Sequence, residues 1–334
     1  MDGIIIINKE QGYTSNDVVQ IIKKIFKEKV GHTGTLDPLA TGVLPILVGK
    51  GTLLSKYLIN HDKIYVATLR LGNKTDTGDI TGDVIEGKNV DEIFLQEENI
   101  IKVLEEIKGE QEQIPPMYSA IKVNGKKLYE YARKGMTIDI APRKINIYNT
   151  ELLNIDKESK EIKFRVSCSK GTYIRTLCET IAEKLGTVGT MSSLEREKVG
   201  DFEISQAIKL SKIKEIYDEA NLDITKEDSV DIKSNNIKDN SVDIKSNNIK
   251  DNSVDIKSNN IEENLFEDKL ISIEKFFEDK NEILLSPRSF VAFINGVKLM
   301  ADNVDGIYRI YNINKEFVGI GIVKNGILKR DIVI

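Results

Sequence analysis

Polar and apolar residues alternate most clearly over residues 161–169, where Ile162, Phe164, Val166 and Cys168 fall on one side and Lys163, Arg165 and Ser167 on the other. A period of two predicts a half-buried strand, broken at Gly171. Lys63–Leu71 has the same rhythm, with Tyr65, Ala67, Leu69 and Leu71 on one face. The apolar run at residues 1–7 reads as a strand buried on both faces. Elsewhere the period lengthens. Val18, Val19, Ile22, Ile25 and Phe26 mark the buried side of a helix over 15–29, with Ser15 or Asn16 as its cap. Further helices are expected over 98–107 and 173–185, the second closed by Gly186. Up to residue 210 the pattern is mixed α and β. From 271 onward it is nearly all β, with strands at 307–311, 317–323 and 327–334 and hairpin signals at Asn295-Gly296 and Asn325-Gly326. A small barrel-like module fits that stretch.

Between these parts lies a repeat. Ser229-Val230-Asp231-Ile232-Lys233-Ser234-Asn235-Asn236-Ile237-Lys238-Asp239-Asn240 recurs from Ser241 and, with a divergent end, from Ser253. Its sparse Val and Ile bury too little surface to offset chain entropy, so residues 211–270 are expected to be a linker rather than a solenoid. The linker also explains the charge. The chain is −5 overall, and residues 211–270 alone hold 9 Lys+Arg against 15 Asp+Glu. The acidic balance therefore says little about the folded parts and does not exclude a nucleic-acid partner.

Composition narrows the chemistry. With 40% hydrophobic and 30% charged residues, a folded chain is expected. No apolar run approaches a membrane span, and the start lacks the features of a signal peptide. Two cysteines, Cys168 and Cys178, make neither a disulfide scaffold nor a four-thiolate zinc site, and read as reduced core thiols. Two histidines, His32 and His61, leave no multi-histidine metal site. No Walker A, dinucleotide or nucleophile-elbow motif is present. Neither metal nor cofactor is expected.

Against that scarcity, Gly31-His32-Thr33-Gly34-Thr35-Leu36-Asp37-Pro38-Leu39-Ala40-Thr41-Gly42-Val43-Leu44-Pro45 stands out. Glycine and proline at this density specify a backbone path, and Pro38 keeps Asp37 out of the helical region. Asp37 on its own would read as a turn or cap residue; the glycines and His32 raise a functional reading. Tyr65 is either one aromatic on a half-buried strand or a platform for a stacked base. Arg175 lies in the first turn of a helix, where a cation opposes the helix dipole. It could pair with Glu179, or with a carboxylate elsewhere, of which Asp37 is the obvious one. The stretch 74–79 invites a calcium-loop reading but lacks the spacing, so a polar turn carrying substrate contacts is expected. Residues 113–122 form a rigid aromatic-bearing loop. Lys126, Lys127, Arg133, Lys134, Arg143 and Lys144 follow it, as a solvated face or a grip for phosphates.

Taken in order, these motifs resemble the TruB-type tRNA pseudouridine synthases over residues 3–210. The resemblance runs through Asn8-Lys9 with Gly12-Tyr13-Thr14-Ser15, the 31–45 stretch, Lys63-x-Tyr65 with Leu71-Gly72, residues 75–79 and 113–122, the Tyr129–Gly135 motif and residues 168–177. Residues 271–334 are similar to a PUA-like RNA-binding module. The resemblance implies an α+β fold with a central mixed, mainly antiparallel sheet flanked by helices and loops, plus the small PUA-like barrel. It divides the chain into a catalytic domain over 1–210, with an RNA-gripping insertion at about 112–145, a linker over 211–270 and the module over 271–334. It implies isomerisation of a T-loop uridine of tRNA to pseudouridine, without cofactor or metal, by a cytoplasmic monomer needing no protein partner. Asp37 would be the nucleophile, attacking C1′ of the ribose or C6 of the base. Tyr65 would stack on the flipped-out base and take part in removing the C5 proton, and Arg175 would pair with Asp37. His32, Tyr173 and Leu194 would line the nucleotide pocket, with Lys9 a supporting cation.

The chain departs from the family pattern at three places. Glu10 replaces a usual proline and is expected to loosen the strand end near Lys9. Glu197 replaces a common threonine and should weaken nearby phosphate contacts. The repeat is an addition.

Overall fold

The computed structural model describes residues 1–220 and 266–334. The repeat at 229–260 lies outside the described residues.

A mixed sheet of eleven strands forms the body. Its main path runs Ile208–Lys209, Gly3–Lys9, Thr41–Val48, Gly189–Val199, Lys63–Leu71, Glu161–Cys168, Arg143–Asp156, Gly109–Gln113. Two pairings on that path are parallel, Gly3–Lys9 with Ile208–Lys209 and Thr41–Val48 with Gly189–Val199; the others are antiparallel. The alternation at 161–169 comes out as read. Ile162, Phe164, Val166 and Cys168 have no solvent exposure and join Tyr65, Ala67, Leu69 and Leu71 in one core. The helices Ser15–Phe26, Glu97–Glu106 and Ile174–Leu185 close that face.

The first helix differs from its sequence reading at both ends, with a cap one residue earlier and an end three residues sooner. Thr14, not Ser15 or Asn16, is the cap: its hydroxyl accepts from the Asp17 N–H at 3.1 Å, and the Asp17 carboxylate accepts from the Thr14 N–H at 2.8 Å. Ser15 is thereby freed for another task, described below. The helix stops at Phe26, with Lys27 left-handed at φ 51°.

The strand end at Lys9 is not loosened by Glu10. Its carboxylate accepts from the Ser211 N–H and hydroxyl, each at 2.9 Å, while Lys9 is fully buried. Glu197 is likewise occupied, taking a two-point contact from Arg165 at 2.8 and 3.3 Å. The folded body extends past residue 210. Residues 210–220 are helical, with Ile213 fully buried, and Phe266 packs on Phe26.

The C-terminal part is a five-stranded sheet in the order Glu282–Leu284, Gly306–Tyr311, Phe317–Lys324, Ile327–Val333, Leu299–Met300. It curls into a half-barrel of the PUA-like kind. Asn325-Gly326 makes the expected hairpin turn, both residues at positive φ. Asn295-Gly296 does not. It closes a helix, Pro287–Ile294, whose hydroxyl cap Ser286 and first-turn Pro287 were the better signals.

Candidate active site

The 31–45 stretch passes from a short strand, Val30–His32, through a loop into Thr41–Val48. The loop is fixed on both sides of Asp37. Before it, the Ser15 hydroxyl accepts from the Leu36 N–H at 2.8 Å and donates to the Leu36 carbonyl at 3.1 Å. After it, the Pro38 carbonyl accepts from the Gly12 N–H at 2.9 Å and from Lys9 Nζ at 3.4 Å. Leu36, Leu39 and Ala40 anchor the loop in the core. Beyond it, Gly42 sits at φ +103°, where a Cβ would stand 2.3 Å from the Arg196 carbonyl. Only glycine allows the two strands to approach so closely.

Arg175, 5% exposed, extends from the first turn of Ile174–Leu185 to Asp37, whose side chain is 34% exposed. Nε meets Oδ2 at 2.9 Å and Nη2 meets Oδ1 at 3.3 Å. Two further donors go to the Thr77 carbonyl at 2.7 Å and the Tyr118 carbonyl at 2.8 Å. One guanidinium thus joins the Asp37 loop to the polar turn at 74–79 and to the loop at 113–122. Glu179, the alternative partner, lies 3.9 Å from Lys74.

Two opposing effects set the charge of Asp37. Burial pushes its carboxyl above the usual carboxylate range; Arg175 pulls it back, Asp79 adds to the rise, and Lys9 again lowers it. The open side of the carboxylate faces solvent, where a substrate atom could reach it.

Tyr65 comes from Lys63–Leu71 and is 8% exposed. Burial raises its phenol, while the charge of the Arg196 guanidinium acts the other way and that of Asp37 adds to the rise. Tyr173 precedes the Arg175 helix and is held by Gln113, which accepts from the Tyr173 N–H at 2.7 Å and donates to its carbonyl at 3.0 Å. Its phenol, raised chiefly by burial, lies within the influence of both Arg175 and Asp37. Leu194 is a core neighbour of Tyr65, 7% exposed. Lys9 donates to the carbonyls of Tyr13 (2.7 Å), Glu10 (3.1 Å) and Pro38, and burial brings its pKa down to about 8. His32 is half-buried, with Nδ1 unpartnered; burial, then Arg196, lowers its pKa and favours the neutral imidazole. The structure thus gathers Asp37, Arg175, Tyr65, Tyr173 and Lys9 at one place. His32 is tied to it through Arg196, and Leu194 supplies apolar wall.

Arg196 went unselected in the sequence. Its signal was the alternation of Gly189–Val199, which puts it on the inward face two residues after Leu194. Asp79 closes the 74–79 turn, which the sequence marked only as a whole. It is 5% exposed and accepts from the Thr81 N–H at 2.9 Å and from the Thr77 hydroxyl at 3.1 Å. Among the described residues no group of three or more His, Cys, Asp or Glu could hold a metal ion. No described helix is long and apolar enough to cross a membrane.

The insertion presents Lys122–Val123 and Lys126–Lys127 as a two-stranded hairpin, followed by the short helix Leu128–Ala132. Its Tyr129 ring lies 5.3 Å from Lys127 Nζ and 5.2 Å from the Arg133 guanidinium. That is a cationic, aromatic surface.

Comparison with known proteins adds an independent line. Residues 23–174 match the model of the TruB family pseudouridylate synthase N-terminal domain, and residues 175–229 match that of the tRNA pseudouridylate synthase B C-terminal domain. A tRNA pseudouridine synthase B of Clostridium kluyveri is 38% identical over 97% of this chain and 96% of its own. One of Clostridium tetani is 50% identical over 64% of this chain and 73% of its own. Among solved structures, a Cbf5-Nop10-Gar1 complex contains a chain that superposes with TM-score 0.60 at 27% identity, covering 96% of this chain and 78% of that one.

Proposed function

The chain belongs to the TruB family of pseudouridine synthases, and from that premise we propose that it isomerises a uridine in the T-loop of tRNA with Asp37 as nucleophile. The observation that carries the reading is the two-point contact between Arg175 and Asp37 on a loop fixed at Leu36 and Pro38. A pure RNA-binding module has no use for a carboxylate held towards a polyanion. An enzyme that must attack a nucleotide carbon does.

The reaction breaks the bond from C1′ to N1 of the base and forms one from C1′ to C5. C5 loses a proton and N1 gains one, so no oxidant, reductant or metal is required. The uridine must leave its stack to be reached. Asp37 attacks C1′ or C6, with Arg175 favouring the ionised carboxylate. Tyr65 supplies the face against which the base stacks, and Leu194 and Tyr173 bound the pocket. His32, half-buried and held neutral by burial, lines the pocket and helps to displace the nucleotide. Burial keeps the Tyr65 hydroxyl protonated at neutral pH, so the phenol serves first as a platform. Any share in C5 proton transfer depends on Arg196 favouring the phenolate.

Single-stranded RNA is recognised by stacking and by contacts to its backbone. Tyr129, with Lys127 and Arg133 beside it, suits that task and supports an enzyme that grips tRNA by itself, as a monomer without a protein partner. In the same reading the catalytic unit occupies the first 210 residues or so, with the C-terminal module as a second RNA contact.

The test is to map pseudouridine in a tRNA transcript treated with the purified chain and with Asp37→Asn. Wild type is expected to modify the T-loop, and the variant to bind tRNA without turnover. Turnover by Asp37→Asn would remove Asp37 from the chemistry.

A further inference from the structure

Arg196 is 1% exposed, among the most deeply buried large side chains of the described molecule. In the sheet its strand lies between two others. Tyr65 is its antiparallel partner on one side and Gly42 its parallel partner on the other. It therefore stands between the strand that carries the proposed stacking ring and the strand that leaves the proposed nucleophile loop.

Its donors address both. Nε donates to the Val43 carbonyl at 2.7 Å and Nη2 to the Gly34 carbonyl at 2.9 Å. Gly34 precedes Asp37 and Val43 follows it, so the two carbonyls bracket the loop. The same residue pairs across the sheet with Tyr65, and its charge favours the ionised form of the Tyr65 hydroxyl. Gly34 lies so close that a Cβ there would stand 3.3 Å from Nη1.

Such an arrangement is expensive. A buried cation satisfied by neutral oxygens recovers less of its desolvation cost than one paired with a carboxylate. Asp37 is not that partner, because Arg175 takes both of its oxygens. Apolar side chains would fill the space more cheaply. What an apolar residue cannot do is hold two carbonyls at fixed angles while placing a cation beside Tyr65, and lysine lacks the planar fork to do so.

We infer that Arg196 is a positioning residue for the reaction, locking the Asp37 loop and the Tyr65 ring into one register so that a base stacked on Tyr65 presents its sugar or C6 to Asp37. The inference rests on the roles proposed above for Asp37 and Tyr65. Arg196 does not touch the RNA and acts through those two groups. It should therefore govern kcat and leave the KM for tRNA nearly alone.

The experiment compares wild type, Arg196→Lys, Tyr65→Phe and the double variant on a tRNA transcript, after a thermal melt has established that each is folded. Misplacing reacting groups by a fraction of an ångström is costly, so kcat for Arg196→Lys is expected to fall about tenfold or more while KM stays within about threefold. Tyr65→Phe keeps the ring and removes the hydroxyl. If Arg196 acts through that hydroxyl, the double variant should lose less than the product of the single losses. Should Arg196→Lys not fold, Arg196→Gln, which keeps an amide donor for one carbonyl, takes its place with the same expected result. Wild-type kcat in the Arg196 variant, a loss confined to KM, or independent losses in the double variant would each overturn the inference. A wild-type chain that forms no pseudouridine would instead count against the proposed function.

Discussion

Asp37 has a counter-ion that is itself held in place, since Arg175 also donates to the Thr77 and Tyr118 carbonyls. The guanidinium cannot swing away without breaking several contacts, so the carboxylate keeps its partner while its other side stays open. Two predictions belong at this scale. The first concerns activity. A nucleophile must be ionised, and burial raises the Asp37 pKa while Arg175 lowers it. Turnover should therefore rise with pH through an acid limb above the usual carboxylate range. Arg175→Met should shift that limb to higher pH and, by removing the clamp, lower the plateau at least about tenfold. A limb that stays in place would show that Arg175 does not set the charge of Asp37. The second concerns stability. A carboxyl raised on folding contributes stability below its unfolded pKa and loses it as pH rises through the folded value. At neutral pH the charged form is thus a burden on the fold. Asp37→Asn should melt at or above the wild-type temperature at pH 7 while losing turnover; a clearly lower melting temperature would mean the Arg175 contact outweighs burial. At this scale the sequence pointed well to Asp37, because glycine and proline advertise a specified path. It pointed poorly to Arg196, because a cation within the charged run Glu195-Arg196-Glu197-Lys198 looks like any solvated residue until its strand is placed between two others.

Elements are where the site acquires its geometry. The Gly189–Val199 strand touches Thr41–Val48 over a short parallel stretch, Glu195 with Thr41 and Arg196 with Gly42. There the backbone of Arg196 comes within reach of Gly42, which is why φ +103° and the absence of a side chain matter. Gly42→Ala should destabilise the fold by at least about 2 kcal/mol, through a disfavoured backbone and a clash with main chain rather than with a movable side chain. Chemical denaturation gives the number; a change under about 0.5 kcal/mol, the usual range for a neutral surface site, would show that the strands can separate without cost. Strand faces were legible because a period of two assigns each side chain regardless of partner. Helix ends were less so. Thr14, Ser15 and Asn16 are all acceptable caps, and the choice of Thr14 leaves the Ser15 hydroxyl for Leu36, a contact across 21 residues of sequence that no local rule could foresee. Asn295-Gly296 misled because the same dipeptide can turn a hairpin or end a helix, and what decided was the capping Ser286-Pro287 upstream.

At the scale of the molecule, the C-terminal sheet packs against the body. Ile320, Ile332, Phe277 and Ile273 share a cluster with Ile4 and Ile6 on the opposite sheet face and with Leu54 and Leu58 of the helical turns after Val48. Asp331 accepts from Tyr57 and Lys56 at the seam, and Phe277 meets the Tyr57 ring edge-on at 5.0 Å. The strand Leu270–Ser272 adds to the edge of the main sheet against Gly3–Ile5. A shared core predicts shared unfolding. Phe277→Ala should cost about 3–5 kcal/mol, as for other buried aromatics, and should lower the melting of the whole described body in one transition. Two separated transitions in calorimetry would show that the module folds apart from the body.

The sequence by itself determined the strand and helix periods, the rigid Asp-Pro loop, the absence of the usual metal and nucleotide motifs, and, through ordered motifs, the family. These are properties of local sterics, side-chain period and residue chemistry, which act within a few positions of the chain. Only the tertiary structure decided which cation meets Asp37, which hydroxyl pins the loop, and that Arg196 lies buried between loop and ring. Those contacts join residues separated by up to 162 positions. They follow from strand order, which is settled by packing of the whole sheet and not by any one segment.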